Sequence, residues 1–221
     1  MIAGVDRSHL NGKIPLISLK SKGIQFIWFK ATQADTYQDP TFNAAWQEVK
    51  TISGVFRGAY HFYDPRVDGI VQAKNFLSRG IDFSAAGCLP PCIDVEDLVV
   101  MGIGGRVDPV ATAAANKWVA NNWQTALSRL HDFLTYVKAQ TGKDCIIYSY
   151  NNYMREYLQG VKFPNNGMWL SSLQDTCPVR YDNGQLPQFW QNTYAWNKTD
   201  MDGDFFTGTI AELNALANIK Q

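Results

Sequence analysis

The chain has 221 residues, 46% of them hydrophobic and 18% charged, which is the composition of a globular domain with room for a sizeable core. Lys plus Arg and Asp plus Glu number 20 each, so the formal charge is zero and nothing argues electrostatically for nucleic acid or an anionic membrane. No apolar run approaches the ~20 residues of a membrane span, so membrane insertion is not expected. Strand-like sequence begins at Ile2-Ala3-Gly4-Val5 with no secretory signal pattern before it. The expectation is synthesis in the cytoplasm, or a leader already removed.

In chain order, strands are predicted at 2–6, 26–32, 57–62, 91–96, 145–150, 168–173, 188–192 and 203–206. Helical patterns fall at 40–53, 69–79 and, as one long helix, 108–140. In that last stretch Trp118, Trp123, Leu127, Leu130, Phe133, Leu134 and Val137 recur close to one helix face, and Thr141-Gly142 supplies the stop. Trp118 and Trp123 are assigned to the core, and His131 to the surface. After residue 165 the strands are joined by turn signals, Asn165-Asn166-Gly167, Asp182-Asn183-Gly184 and Asp202-Gly203, before a closing helix at 210–219. Alternating strands and helices imply parallel strands joined by crossovers, hence an α/β class. The reading is a single domain over 1–221 with eight strands in one sheet or barrel and helices around the first five only. Cys88, Cys92, Cys145 and Cys177 have no metal-ligand spacing and are expected as reduced, core-type residues.

The stretch Cys92-Ile93-Asp94-Val95-Glu96-Asp97 carries the most chemistry. Residues two apart on a strand share a face, with backbone positions about 6.5–7 Å apart, so Asp94 and Glu96 form a pair while Ile93 and Val95 pack the other way. Like charges that close push one pKa up, which keeps a carboxyl protonated as an acid. Asp6 ends the first strand and Asp202 precedes the last. In a parallel α/β barrel the C-terminal strand ends open onto one face, so four carboxylates converge there. Aromatics share those ends: Tyr60-His61-Phe62-Tyr63, Tyr148, Tyr150, Trp169 and Trp190. Their faces suit the C–H faces of sugars, while carboxylates and amides suit the hydroxyls. No G-x-S-x-G elbow appears, and Gly102-Ile103-Gly104-Gly105 lacks a Walker lysine. Carboxylate-only catalysis remains, without metal or cofactor, and glycoside hydrolysis leads.

Five motifs then resemble the glycoside hydrolase family 25 lysozymes, the Chalaropsis-type muramidases. They are the opening Gly4-Val5-Asp6-Arg7-Ser8, Lys30-Ala31-Thr32, Gly58-Ala59-Tyr60-His61-Phe62, Leu89-Pro90-Pro91-Cys92-Ile93-Asp94-Val95-Glu96, and Trp190-Gln191 followed by Asp202-Gly203-Asp204-Phe205-Phe206. The resemblance implies a modified TIM-like barrel, (β/α)5β3, and cleavage of the β-1,4 bond between N-acetylmuramic acid and N-acetylglucosamine in bacterial peptidoglycan. It implies Glu96 as general acid/base, with Asp94, Asp6 and Asp202 as the other acidic residues. Tyr60, His61, Tyr148, Trp169, Trp190 and Gln191 are expected to contact substrate. Asp94 has two open roles: nucleophile or base of a two-carboxylate mechanism, or orienter of the substrate's own N-acetyl group. The sequence departs from the family at Gln33, where Glu is usual, in the Met168-Trp169-Leu170-Ser171-Ser172-Leu173 strand, at Asp204, where Asn is common, and in the glycine-rich 102–108 segment. A wall-binding module on the same fold and a chitinase-like glycosidase are the alternative readings. The chain is expected to act as a monomer on the cell wall, as a phage endolysin or a trimmed secreted enzyme would.

Overall fold

The computed structural model describes residues 1–11, 15–180 and 184–219; most of the predicted Asp182-Asn183-Gly184 turn lies outside them. Its centre is a closed eight-stranded barrel. The strands are β1 (Ile2–Arg7), β2 (Phe26–Gln33), β4 (Phe56–Phe62), β5 (Cys92–Asp94), β6 (Ile146–Tyr150), β7 (Met168–Ser171), β8 (Phe189–Thr193) and β9 (Asp202–Phe206). Going round, β1 pairs with β2 and the order continues β4, β5, β6, β7, β8, β9 and back to β1. A two-residue strand, β3 (Tyr37–Gln38), folds back on the end of β2 and was not anticipated. Every barrel pairing is parallel except those of β9, which runs antiparallel to both β1 and β8.

Helices follow the first five barrel strands: α1 (Leu16–Ser21), α2 (Phe42–Lys50), α3 (Gly69–Leu77), the pair α4 (Pro109–Asn121) and α5 (Trp123–Thr141), and α6 (Asn151–Tyr153), extended by a π-helical turn over Met154–Leu158. Among the described residues no α-helix joins the last three strands, so the (β/α)5β3 expectation matches the architecture. The α1 and α6 segments are too short to give a readable period. In α2, Phe42, Trp46 and Val49 are buried at helical spacing. The predicted long helix is two, because Asn122 adopts φ −126° and its amide donates to the Trp118 carbonyl at 2.8 Å. Asp108 starts α4 by accepting from the backbone N–H groups of Val110 and Ala111. Gly142 ends α5 in the left-handed region at φ 71°, as its sequence position predicts. The closing helix α7 (Ile210–Leu216) begins with a capping box between Thr209 and Glu212.

Strand alternation divides the apolar residues into two layers. Ile27, Phe29, Ala59, Ile93, Val95, Ile147 and Leu170 face outward and pack under the helices. Phe26, Trp28, Tyr60, Cys92, Ile146, Tyr148, Trp169, Phe189 and Phe206 fill the barrel, and Leu213 and Ala217 close its lower end. Gly58 makes this interior possible: a Cβ there would lie 2.0 Å from the Trp28 ring. Trp118 and Trp123 flank the α4–α5 break half-buried rather than in the core, and His131 is exposed. All four cysteines are free, and Cys88, Cys92 and Cys145 are buried. Among the described residues no helix is long and apolar enough to cross a membrane.

Candidate active site

A cleft at the upper end of the barrel is lined by Asp6, Tyr60, Asp94, Glu96, Tyr148, Trp169, Gln191 and Asp202. Asp6, Asp94 and Asp202 sit at or next to strand ends and Glu96 just beyond β5, while Tyr60, Tyr148, Trp169 and Gln191 point inward from within their strands. Asp6 and Asp202 are directly opposed on β1 and β9. Because β9 is antiparallel, its first residue reaches the same rim as the last residues of its neighbours. β5 is shorter than expected, ending at Asp94. The chain stays extended one step further, since the Val95 N–H donates to the Tyr148 carbonyl at 2.9 Å, and this carries Glu96 over the cleft on the Asp94 side.

Hydrogen bonds order the acidic residues. The Tyr148 hydroxyl donates to Gln191 Oε1 at 2.8 Å. Gln191 Nε2 then donates to Asp6 Oδ2 at 2.8 Å and to Asp202 Oδ2 at 3.3 Å. Trp169 lies beneath, stacked on Trp28 with ring centroids 5.3 Å apart and meeting Tyr148 edge-on at 4.7 Å. Asp94 is buried, and its Oδ1 has no partner among the described residues.

Burial dominates the electrostatics. It pushes the Glu96 carboxyl up to about 7, against the pull of the Lys30 ammonium and with added push from Asp97 and Asp202. Asp94 is also raised well above the usual carboxylate range, by burial and then by Glu96, with Lys30 opposing. Both carboxyls therefore keep their protons to higher pH than a carboxyl in water. Asp202 is pushed up to about 6 by burial, and Asp6 is raised by burial and by Asp202.

Lys30 is a half-buried cation beside the acidic cleft to which its motif assigned no role. It sits opposite Tyr60 in the β2–β4 register, on the inward face, and donates to Gln33 Oε1 at 2.7 Å. Burial lowers its pKa, while Asp94, Asp39 and Glu96 hold the charge in place. A lysine at an inward position of an otherwise apolar strand is the signal that would have found it.

Two expected substrate contacts lie elsewhere. His61 is fully buried on the outer face of β4, bonded to Thr32 Oγ1 at 2.7 Å and Gln72 Oε1 at 3.1 Å and stacked on Phe133. Trp190 points outward from β8, packs against Phe205 and donates to the Ser172 carbonyl at 2.8 Å. Both follow inward-facing neighbours by one residue or precede them by one, so alternation turns them away from the cleft. Among the described residues no group of three or more His, Cys, Asp or Glu is arranged to hold a metal ion. A larger concavity of about 400 Å³ around Phe56, Arg57, Ile210 and Asn214 at the opposite end of the barrel has no carboxylate in its lining.

Residues 5–201 match the model of glycosyl hydrolases family 25. The chain belongs to this family. Lysozyme M1 of Streptomyces globisporus is 29% identical over 98% of this chain and 71% of its own length. YegX of Escherichia coli K12, an uncharacterized protein, is 31% identical over 98% of this chain and 74% of its own. The crystal structure of a bacterial lysozyme from Streptomyces coelicolor superposes with a TM-score of 0.81 at 26% identity, covering 98% of this chain and 97% of that one. The family 25 chain is thus a glycoside hydrolase by descent, and the carboxylate-lined cleft carries chemistry suited to glycosidic bonds.

Proposed function

We propose that this family 25 chain is an N-acetylmuramidase. It cuts the β-1,4 bond between N-acetylmuramic acid and N-acetylglucosamine in bacterial peptidoglycan, with Glu96 as general acid/base and Asp94 assisting. The observation that carries this reading is the pairing of Asp94 with a half-buried Glu96 whose carboxyl is pushed up to about 7. An acid that must protonate a leaving oxygen at neutral pH needs its pKa near that pH.

In the proposed sequence Glu96 gives its proton to the glycosidic oxygen as the C1–O bond breaks. The acetamido carbonyl oxygen of the same sugar bonds to C1, and its N–H proton is held by Asp94. Water then attacks C1, Glu96 takes the water proton, and the ring formed by the acetamido group reopens with net retention. The free Oδ1 of Asp94 is an acceptor of the kind this step requires. Lys30 keeps negative charge available on the pair. Tyr60, Tyr148 and Trp169 form an aromatic wall for the sugar, and Gln191 holds Asp6 and Asp202 in place. The enzyme acts as a monomer at the cell wall.

The test compares polymers. Purified peptidoglycan and chitin, both β-1,4-linked and acetamido-bearing, are incubated with the protein and soluble sugars are counted. Release from peptidoglycan alone supports the reading. Equal turnover of chitin makes the protein a chitinase-like glycosidase, and tight wall binding without any release makes it a binding module.

A further inference from the structure

Asp204 lies on the inner face of β9, two residues beyond Asp202 and one step deeper in the barrel. Its neighbours in register are Gly4 of β1 and Gln191 of β8. The residue is 2% exposed. Trp169 Nε1 donates to Oδ1 at 2.8 Å, while no donor group reaches Oδ2 among the described residues. The Asp6 carboxyl, which shares the Gln191 side of the cleft with it, lies close enough for each acid to act on the other's titration. Two ionised carboxylates have only acceptor oxygens, so that proximity away from water would be repulsive and would leave Oδ2 unsatisfied. One proton between them removes both costs.

The surroundings decide which residue holds it. Each acid accepts one N–H, Asp6 from Gln191 and Asp204 from Trp169, but Asp204 is the more deeply buried, 2% exposed against 9%, and burial favours the neutral acid. The charged and titratable groups around the site are Asp6 on β1, Lys30 on β2, Tyr60 on β4, Asp94 and Glu96 at and beyond β5, Tyr148 on β6 and Asp202 on β9. The one cation among them, Lys30, is paired electrostatically with Asp94, Asp39 and Glu96, and not with Asp204.

We propose that Asp204 is protonated in the resting protein and donates through Oδ2 to the Asp6 carboxylate, as a positioning residue for the acidic cleft. Burial and the neighbouring Asp6 charge both favour the neutral acid at this position. Asp6 is then held by two donors, Gln191 and Asp204, at the base of the cleft. Asp204 also fixes the Trp169 indole without adding a further negative charge beside Asp202 and Glu96. The role deepens the glycosidase reading and rests on it for its purpose, though not for its chemistry.

The decisive comparison is thermal unfolding of the wild type and Asp204→Asn between pH 4 and pH 8. Asparagine keeps an acceptor for Trp169 and a donor for Asp6 and cannot ionise. In the unfolded chain an aspartate ionises near pH 4, so above that pH the wild type must take up a proton to fold, and its stability falls relative to the variant as pH rises. The expected result is matched melting temperatures near pH 4 and a variant advantage that widens towards pH 7. A difference that does not change with pH, or a variant less stable at pH 7, overturns the proposal. If Asp204→Asn does not fold, ¹³C-carboxyl NMR of the wild type reads the same proton. Asp204 is expected to keep the protonated chemical shift through pH 7, and the ionised shift at pH 6 overturns the assignment. Neither readout uses turnover, so a failure to cleave peptidoglycan would count against the proposed function and not against this proton.

Discussion

At the scale of single residues, the cleft shows how burial converts ordinary carboxylates into acids. Glu96 reaches about 7 chiefly through loss of water, and the Lys30 ammonium limits the rise. Replacing Lys30 with Met removes the stabilisation of both ionised carboxylates. Both limbs of the kcat/KM–pH profile are expected to move to higher pH and the maximum to fall, and an unmoved profile would show that Lys30 is electrostatically idle. His61 gives a contrasting case. Burial lowers its pKa to about 3, so it is neutral in the fold and wants a proton in the unfolded chain below about 6.5. It therefore costs stability progressively as pH falls from 6.5 towards 3. His61→Leu leaves the buried Thr32 hydroxyl without its His61 partner, while Gln72 keeps the Asp64 N–H, at a cost of about 1–3 kcal/mol. Denaturant unfolding measures that loss, and KM is expected to be unchanged because the ring is outside the cleft. The sequence made His61 attractive because it sits in a motif beside Tyr60. Strand alternation was available to separate the two, and it separates Trp190 from Gln191 in the same way.

At the scale of elements, the barrel is a set of alternating strands whose inner faces had to be fitted to large aromatics. Gly58 is the clearest fit, since β4 passes against the Trp28 ring with no room for a methyl. Gly58→Ala is expected to destabilise the fold by about 1–3 kcal/mol or more, read as a lowered denaturant midpoint, because the overlap is with a ring buried on all sides. Most strands were legible as short apolar runs set between helical stretches and turn signals. The break between α4 and α5 was not, because the apolar period runs through Asn122 and only its backbone conformation interrupts it. α1 and α6 escaped notice for want of length, and β3 because two residues carry no pattern. The glycine-rich 102–108 segment is a small turn, with Met101 bridged to Val107 and Gly104 and Gly105 both at positive φ. It delivers Asp108 to cap α4 and adds nothing to the cleft lining.

At the scale of the whole molecule, closure of β9 against β1 matters most for function. It brings Asp202 opposite Asp6, completing a ring of acidic residues that are far apart in the chain. The sequence indicated that acids recur at strand ends, and family resemblance ordered them. It could not indicate that the last strand runs antiparallel, which is what lets a residue at its beginning join residues at the ends of others. Nor could it separate the two carboxylates of the last strand: Asp202 faces the cleft, while Asp204 lies beneath it against Trp169 and Asp6.

The central claim, that a protonated Glu96 in this ring cleaves the muramyl bond, is tested most directly by mass spectrometry of soluble peptidoglycan fragments after borohydride reduction, with wild type beside Glu96→Gln. The account predicts reduced muramic acid at the new ends from the wild type and a loss of about 100-fold or more from the variant, with its fold intact by circular dichroism. Reduced glucosamine ends, or a fully active Glu96→Gln protein, would contradict it.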